Sequence, residues 1–347
     1  MRSVTIQFFR SYKEPHCLID VRSPSEYAIG HIPGAINMPL FSDEQRSDIG
    51  TIYKGVGREA ALLKGLDYVG SEMSHLVRRA HELAEGRSIF VHCWRGDKRS
   101  ESVAWLLSFS GLEVHTIQGG YKAYRQFLAA EFMARNYEIK LLGGLTGSGK
   151  TTLLLEMKKH DFQIIDLEGL AHHKGSAFGD LGELPQPTNE QFSNALYESF
   201  LSFDPTKPIW LESESKNVGK VVLPDPVWNK MLDAGRVELV IPDAQRIRNL
   251  VDLYGEYSKS LLKKAFEKIQ KRLGGLKTQL ALSSIEENDL YTAAKIALSY
   301  YDKAYQKSKK KANHSIDFIL EYDGVDHVHG VKLLKMATDK VKYSIDG

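Results

Sequence analysis

A chain of 347 residues has room for two domains, and 42% hydrophobic against 26% charged residues is the balance of an ordinary globular protein, not of a disordered or fibrous one. Two cysteines, Cys17 and Cys93, exclude a disulfide framework and a spaced cysteine metal site. No window approaches the roughly eighteen apolar residues of a membrane span, and Met1-Arg2-Ser3-Val4-Thr5-Ile6 lacks the apolar stretch of a signal peptide, so a cytoplasmic, reducing setting is expected. The net charge of +2 says little, but Ser258 to Ser315 holds thirteen lysines and arginines against five acids and ends in Lys307-Ser-Lys-Lys-Lys311, which suits a polyanionic partner.

In chain order, Cys17-Leu-Ile-Asp-Val-Arg22 has a short strand pattern that runs into Ser23-Pro-Ser-Glu-Tyr27, a turn and helix start with Ser23 or Ser25 as cap. Gly30-His-Ile-Pro-Gly-Ala-Ile-Asn-Met-Pro39 fixes a tight connection with a strand over Ala35 to Met38. Ser88 to His92 reads as a buried strand, and Arg99 to Phe109 carries Val103, Leu106 and Leu107 on one helical face, which puts Cys93 at a strand-to-helix turn. Backbone N–H groups at that helix start, with Arg95 and Arg99, are expected to make its sulfur a reactive thiolate. The alternative, a buried structural cysteine, fits poorly with the polar loop that follows it. Val114 to Ile117, the turn at Gly119-Gly120 and a helix over Tyr121 to Met133 close this region, and the boundary falls near 134–137.

Glu138 to Leu142 is a fresh strand, and Leu153 to Lys159 is a helix. Between them Gly144-x-x-x-x-Gly149-Lys150-Thr151 forms a phosphate loop in its required context. Gly144, Gly147, Ser148 and Gly149 let successive N–H groups turn toward phosphate oxygens, the helix start adds its dipole, Lys150 supplies charge, and Thr151, followed by Thr152, is placed to hold Mg²⁺. Phosphate binding follows; the identity of the phosphate does not. Asp166 and Glu168 end one apolar strand and Glu212 and Glu214 another, an arrangement that serves a phosphate-loop cation or the fold alone. Between them, Ala171-His172-His173-Lys174-Gly-Ser176-Ala-Phe178-Gly-Asp180 reads as a substrate loop. Its histidines lack helical zinc spacing, so no metal site is expected there, and Phe178 either stacks on a ligand or anchors the loop in the core. Pro224 to Ala234, Val237 to Ile241 and Asp243 to Leu253 continue the helix–strand alternation and extend a parallel sheet. Residues 256–312 turn helical, with lysines interleaved with Tyr257, Tyr291, Tyr300, Tyr301 and Tyr305: a basic surface with stacking aromatics, or a solvated face. Phe318 to Leu320 gives a late strand and Val331 to Val341 a final helix.

Asp20-Val-Arg22, Glu26-Tyr27 and the Gly30 to Pro39 stretch, followed by the loop Cys93-Trp-Arg-Gly-Asp-Lys-Arg99, closely resemble the rhodanese domain. This implies an α/β domain over 1–136 with a mostly parallel sheet, whose cysteine carries sulfur or selenium as a persulfide-type adduct, with Arg95, Gly96, Asp97, Lys98 and Arg99 around it. Together with the phosphate loop, Asp166 to Gly179 and Trp210-Leu-Glu-Ser-Glu-Ser215, nearly the whole chain resembles the tRNA 2-selenouridine synthase family. That resemblance implies a P-loop NTPase-like parallel-sheet domain over 137–347 with a helical basic extension around 256–312. It further implies action on wobble-position 2-thiouridine in the anticodon loop of tRNA: geranyl diphosphate alkylates the sulfur, and selenium from selenophosphate then replaces the S-geranyl group. An enzyme supplying selenophosphate would be a partner, with no membrane and no tightly bound cofactor. Cys93 is thereby assigned to selenium, and Lys150 with Thr151 to the diphosphate. His173-Lys174 stands where the family often has His-Arg, which keeps the charge but loses bidentate phosphate geometry. A kinase or nucleotide hydrolase with a rhodanese module, and a sulfur-carrier or tRNA-binding adaptor, are the other classes open to the sequence.

Overall fold

A computed structural model describes residues 1–309 and 316–345. The chain forms two compact units, Met1–Ala134 and Arg135–Gly347. Each is built on a five-stranded sheet whose pairings are all parallel, the α/β class expected from apolar runs alternating with helical periodicity.

The first unit runs β1 (Arg2–Val4), α1 (Ile6–Ser11), β2 (His16–Asp20), α2 (Pro24–Ile29), β3 (Ile36–Asn37), α3 (Asp43–Gly55), α4 (Arg58–Gly70), α5 (Met73–Ala84), β4 (Ser88–His92), α6 (Lys98–Phe109), β5 (Val114–Ile117) and α7 (Gly120–Ala134). The strand order β1-β5-β4-β2-β3 makes β4 central. Ile89, Phe90 and Val91 are fully buried, as a strand covered on both faces requires, and they deliver Cys93 to the carboxyl end of the sheet, where open parallel sheets place their ligands. α2 begins at a capping box of Ser23 and Glu26 with Pro24 in its first turn. The sequence reading did not find β1, three residues paired with β5, or α3 to α5, where exposed Leu62, Leu63 and Leu66 blur the amphipathic pattern.

The second unit runs β6 (Ile139–Gly144), α8 (Lys150–Lys159), β7 (Gln163–Ile165), α9 (Leu167–Ala171), α10 (Asn189–Leu201), β8 (Ile209–Glu212), β9 (Asn217–Val218), β10 (Val221–Val222), α11 (Asp225–Leu232), β11 (Gly235–Val240), α12 (Asp243–Tyr254), α13 (Lys259–Leu273), α14 (Gly275–Glu286), α15 (Leu290–Lys309), β12 (Ile316–Glu321) and α16 (His327–Ile345). Its order β12-β11-β6-β8-β7 puts the phosphate loop at the end of the central strand. The short antiparallel hairpin of β9 and β10 has no clear sequence signal.

Helices α13 to α15 form a core of their own around Leu262, Phe266, Ile269 and Ile285, and this corrects part of the sequence reading. Phe178 keeps only 7% of its surface and packs edge-on to Phe266 at 5.2 Å, so it anchors its loop and is not an exposed stacking residue. Tyr257, Tyr300 and Tyr301 pack against the same core, whereas Tyr291 is exposed. Lys259 and Lys263 are tied to Glu286, Lys268 to Asp180 and Lys277 to Ser299, so these lysines also stitch the helices together. The lysine run 307–311 lies outside the residues whose side chains are described. Among the described residues no helix is long and apolar enough to cross a membrane.

The first unit is locked by an ion pair that its sequence motif contains. Arg22, fully buried, donates through Nε to Asp20 Oδ2 at 2.9 Å and through Nη2 to Gly30 O at 2.7 Å, and it lies 4.1 Å from the centre of the Tyr121 ring. Removing one partner strands a buried charge. Asp20→Ala is therefore expected to destabilise this unit by about 3–5 kcal/mol in urea unfolding of the full chain. A loss below about 1 kcal/mol would show that the pair does not hold the motif together.

Candidate active sites

Cys93 is buried, and a single residue clasps its sulfur from two sides: the Asp97 N–H donates to Sγ at 3.4 Å, and the thiol donates to Asp97 Oδ1 at 3.1 Å. Ser100 Oγ stands 3.4 Å away. The thiol proton thus has an acceptor already in contact. The basic residues expected around the sulfur make no hydrogen bond to it, although Arg99 remains within electrostatic reach of Cys93. Arg99 turns to Glu26, with Nη1 at 2.6 Å from Oε2, Arg95 and Lys98 are exposed, and Lys98 pairs with Glu101. Against the push of burial, the Arg99 guanidinium holds the Glu26 carboxyl below its usual range. The loop's shape rests on a close backbone approach: a side chain at Gly120, which sits at φ +56°, would come within 2.2 Å of Cys93 O. Tyr121 N–H donates to that carbonyl at 2.9 Å and Lys122 N–H to Trp94 O at 2.9 Å, so the start of α7 grips the loop. Gly120 was read only as a turn, because its partner is twenty-seven residues earlier in sequence.

In the second unit, residues 146 to 152 line one end of a cavity of about 780 Å³. Lys150 Nζ donates to Gly144 O at 3.1 Å, and the buried Ser148 hydroxyl has no hydrogen-bond partner among the described residues. A buried polar group without a partner is uncommon, and a phosphate oxygen in the loop would supply one. The loop is braced from behind. Arg246 Nε donates to Thr146 O at 3.0 Å, Asn249 Nδ2 to Gly147 O at 2.9 Å, and the Gly144 N–H donates to the Tyr305 hydroxyl at 3.0 Å. A side chain at Gly147, φ +78°, would meet Arg246 O at 2.7 Å, so the brace requires glycine there.

Asp166, Glu168, Lys174, Ser176, Phe178 and Glu214 are brought to the same cavity wall. Asp166 caps α9 through Gly169 N–H at 2.7 Å, and Thr151 Oγ1 donates to Glu168 Oε2 at 3.1 Å. Burial and then the neighbouring Glu214 carboxylate push Glu168 up to about 7, while burial raises Glu214 and Lys150 opposes both shifts. The remaining candidates lie elsewhere. Glu212 sits behind the wall, fully buried, accepting from Leu167 N–H at 3.0 Å, and burial with Asp166 and Glu168 nearby raises its carboxyl well above the usual range. His172 closes α9 with its ring against Pro185 O, His173 packs against Gly179, and neither lines the cavity. Lys174 is held by Glu183, so its charge is balanced locally.

These two loops, one on each sheet, match known proteins in the same order. A model of the rhodanese-like domain matches residues 9–127, and the model described as the tRNA 2-selenouridine synthase AAA domain matches residues 137–332, more than half of the chain. The chain belongs to the tRNA 2-selenouridine synthase family. A tRNA 2-selenouridine synthase from a Sulfurovum species is 35% identical over 83% of this chain and 87% of its own length, and one from Bdellovibrio bacteriovorus is 31% identical over 87% and 91%. One from Nitrosomonas europaea is 34% identical over 68% of this chain, but the match spans only 63% of that relative's length. In the terms of this family the phosphate loop belongs to the AAA domain and Cys93 to the rhodanese-like one.

The raised Glu168 carboxyl has a measurable consequence. Between its ordinary value of 4.5 and about 7 the folded protein binds a proton that the unfolded chain has released, so stability falls as pH rises through that window. Glu168→Gln should leave unfolding at pH 4.5 nearly unchanged and stabilise the protein at pH 8, by about 1 kcal/mol once solvent contact is allowed for, in metal-free urea titrations. Equal effects at both pH values would refute the assignment.

Proposed function

We propose that this protein is a tRNA 2-selenouridine synthase acting on wobble-position 2-thiouridine through an S-geranyl intermediate, with geranyl diphosphate and selenophosphate as co-substrates. The observation that carries the reading is the pairing, in one chain of this family, of a braced phosphate loop holding an unsatisfied hydroxyl with a separate cysteine loop whose thiol already touches a proton acceptor.

In the first step the thiouridine sulfur attacks the allylic carbon of geranyl diphosphate. The carbon–oxygen bond breaks, pyrophosphate leaves, and the base loses its ring N–H proton. The chain's part is electrostatic: the N–H groups of residues 147 to 151 and the Lys150 ammonium hold the charge that develops on the leaving pyrophosphate. The Thr151 hydroxyl and the carboxylates of Glu168 and Asp166 are hard oxygen donors that fit Mg²⁺, which when bound would add positive charge at the same place. In the second step selenium adds to the ring carbon and geranyl thiol departs, a far better leaving group than the original thiocarbonyl sulfur. Cys93 is the residue proposed to free that selenium: its thiol, giving its proton to Asp97, attacks the phosphorus of selenophosphate, the phosphorus–selenium bond breaks to release selenide for the ring carbon, and water then frees phosphate from the sulfur, so selenium keeps its oxidation state throughout. The helical basic segment is proposed to meet tRNA phosphates, as in loop-targeted RNA recognition.

Cys93→Ala is expected to abolish 2-selenouridine while S-geranyl-2-thiouridine still forms, read by mass spectrometry of tRNA nucleosides. Normal selenouridine yield from the variant would contradict the role of the cysteine. Lys150→Ala should reduce geranylation by at least about a hundredfold, the usual weight of a charged group meeting a leaving anion, and pre-geranylated tRNA should restore selenation. Equal failure on that substrate would move the phosphate loop to the second step. Replacing Lys307, Lys309, Lys310 and Lys311 together by Gln should weaken binding to every tRNA substrate alike and lower the slope of log affinity against log salt; overlapping salt titrations would remove the segment from the RNA surface.

A further inference from the structure

The cavity that begins at the phosphate loop does not end as a polar pocket. Its wall also takes in Leu253 of α12, Leu262 of α13, Ile285 of α14, and Leu290, Ala293 and Ala297 of α15. These six side chains offer apolar surface, and the two hydroxyls beside them are already engaged, Tyr301 by the Ala177 N–H and Tyr254 by Ser176, which leaves Asp252 as the polar group of this part of the wall. The direction of the chamber is set by the helices that brace the loop. Asn249 on α12 holds Gly147 O, and Tyr305 on α15 accepts from Gly144 N–H, so the helices walling the chamber are anchored to the cradle itself. A molecule with its diphosphate against residues 147 to 151 therefore has the rest of its length led between α12 and α15. Along α15, Leu290 to Tyr301 spans roughly 16 Å at helical rise, enough wall for a short extended chain. Ala293 and Ala297, one turn apart on the same face and nearly buried, are the small side chains that leave this space open.

We propose that this chamber takes the hydrocarbon tail of an allylic diphosphate, and that Ala293 and Ala297 set the room for it. The proposal rests on the geranyl diphosphate reading and adds where the tail lies and what selects it. Tail binding is then the transfer of apolar surface out of water, while the phosphate loop contributes the part of the affinity common to every diphosphate.

The test uses the full-length protein, calorimetric titration and three probes: geranyl S-thiolodiphosphate, which resists cleavage, inorganic pyrophosphate and ATP. Wild type should bind the geranyl analogue at least about tenfold more tightly than pyrophosphate, as burial of a few methylene groups requires. Ala293→Leu and Ala297→Leu fill the chamber and should each weaken the analogue by about tenfold or more while leaving pyrophosphate within about twofold. Because bulk in a helix core can disturb folding, Leu253→Gln provides a second route: Leu253 is 46% exposed, tolerates a polar group, and should also weaken only the analogue. Equal affinity of wild type for the analogue and pyrophosphate, or unchanged analogue binding in all three variants, overturns the proposal. So does ATP binding more tightly than the analogue and weakening in the same variants, which would make the chamber a base pocket. If tail-dependent binding is found but geranyl diphosphate yields no S-geranyl product, the chamber stands and the reading of function fails.

Discussion

The buried guanidinium of Arg246 is the constraint on which the phosphate-binding unit depends. A charge that is 2% exposed is tolerable only with partners on every side, and Arg246 finds them in Thr146 O of the loop, Asp243 at the start of α12 and Asp302 on α15. One side chain thereby fixes three elements that are far apart in sequence. Tyr305 repeats the device one turn along α15: its hydroxyl accepts from Gly144 N–H and from Arg236 and donates to Glu238 Oε1, and burial raises its pKa far above the usual range, so it stays a neutral hydrogen-bonding hub. The cradle is rigid because two of its carbonyls and its first amide are engaged from behind, and a turn closes within it from Ser148 N–H to Leu145 O. Preorganisation of this kind is what lets a loop stabilise developing negative charge without first rearranging.

The first unit solves a similar problem with other parts. Asp20 and Arg22 pin the carboxyl end of β2 to Gly30 and to Tyr121, while Gly96 and Gly120 let the cysteine loop and the start of α7 meet backbone to backbone. Arg99, expected from the sequence to face the sulfur, joins this scaffold through Glu26. What remains at the sulfur is Asp97, an acceptor rather than a cation.

Contiguous features were legible in the sequence and distributed ones were not. Gly144 to Thr151 is recognisable because strand, loop and helix follow one another without interruption, and the Cys93 loop because an apolar run ends abruptly in polar residues. Both parallel sheets could be anticipated from the same alternation. Arg246, Asn249, Asp302 and Tyr305 could not, since the loop atoms two of them hold lie 100 and 161 residues away and each alone reads as an ordinary polar residue on a helix. The converse error is as physical: His172, His173 and Glu212 stand in suggestive places in the sequence, but one closes a helix, one packs a loop, and one satisfies a buried amide. The tyrosines of the basic segment misled for a related reason. Their spacing fits stacking on a base as well as packing in a bundle, and the cost of leaving a helical core unfilled decides for packing.

The function proposed for this chain divides into two separable chemistries, alkylation at the phosphate loop and selenium delivery at the cysteine loop. It is tested most directly by reconstitution with purified wild-type protein, 2-thiouridine-containing tRNA and defined donors. With geranyl diphosphate alone, nucleoside mass spectrometry should show S-geranyl-2-thiouridine and no selenouridine, and later addition of selenophosphate should convert that product to 2-selenouridine. Formation of 2-selenouridine from selenophosphate with no geranyl diphosphate present would contradict it, because selenium delivery would then not depend on prior alkylation.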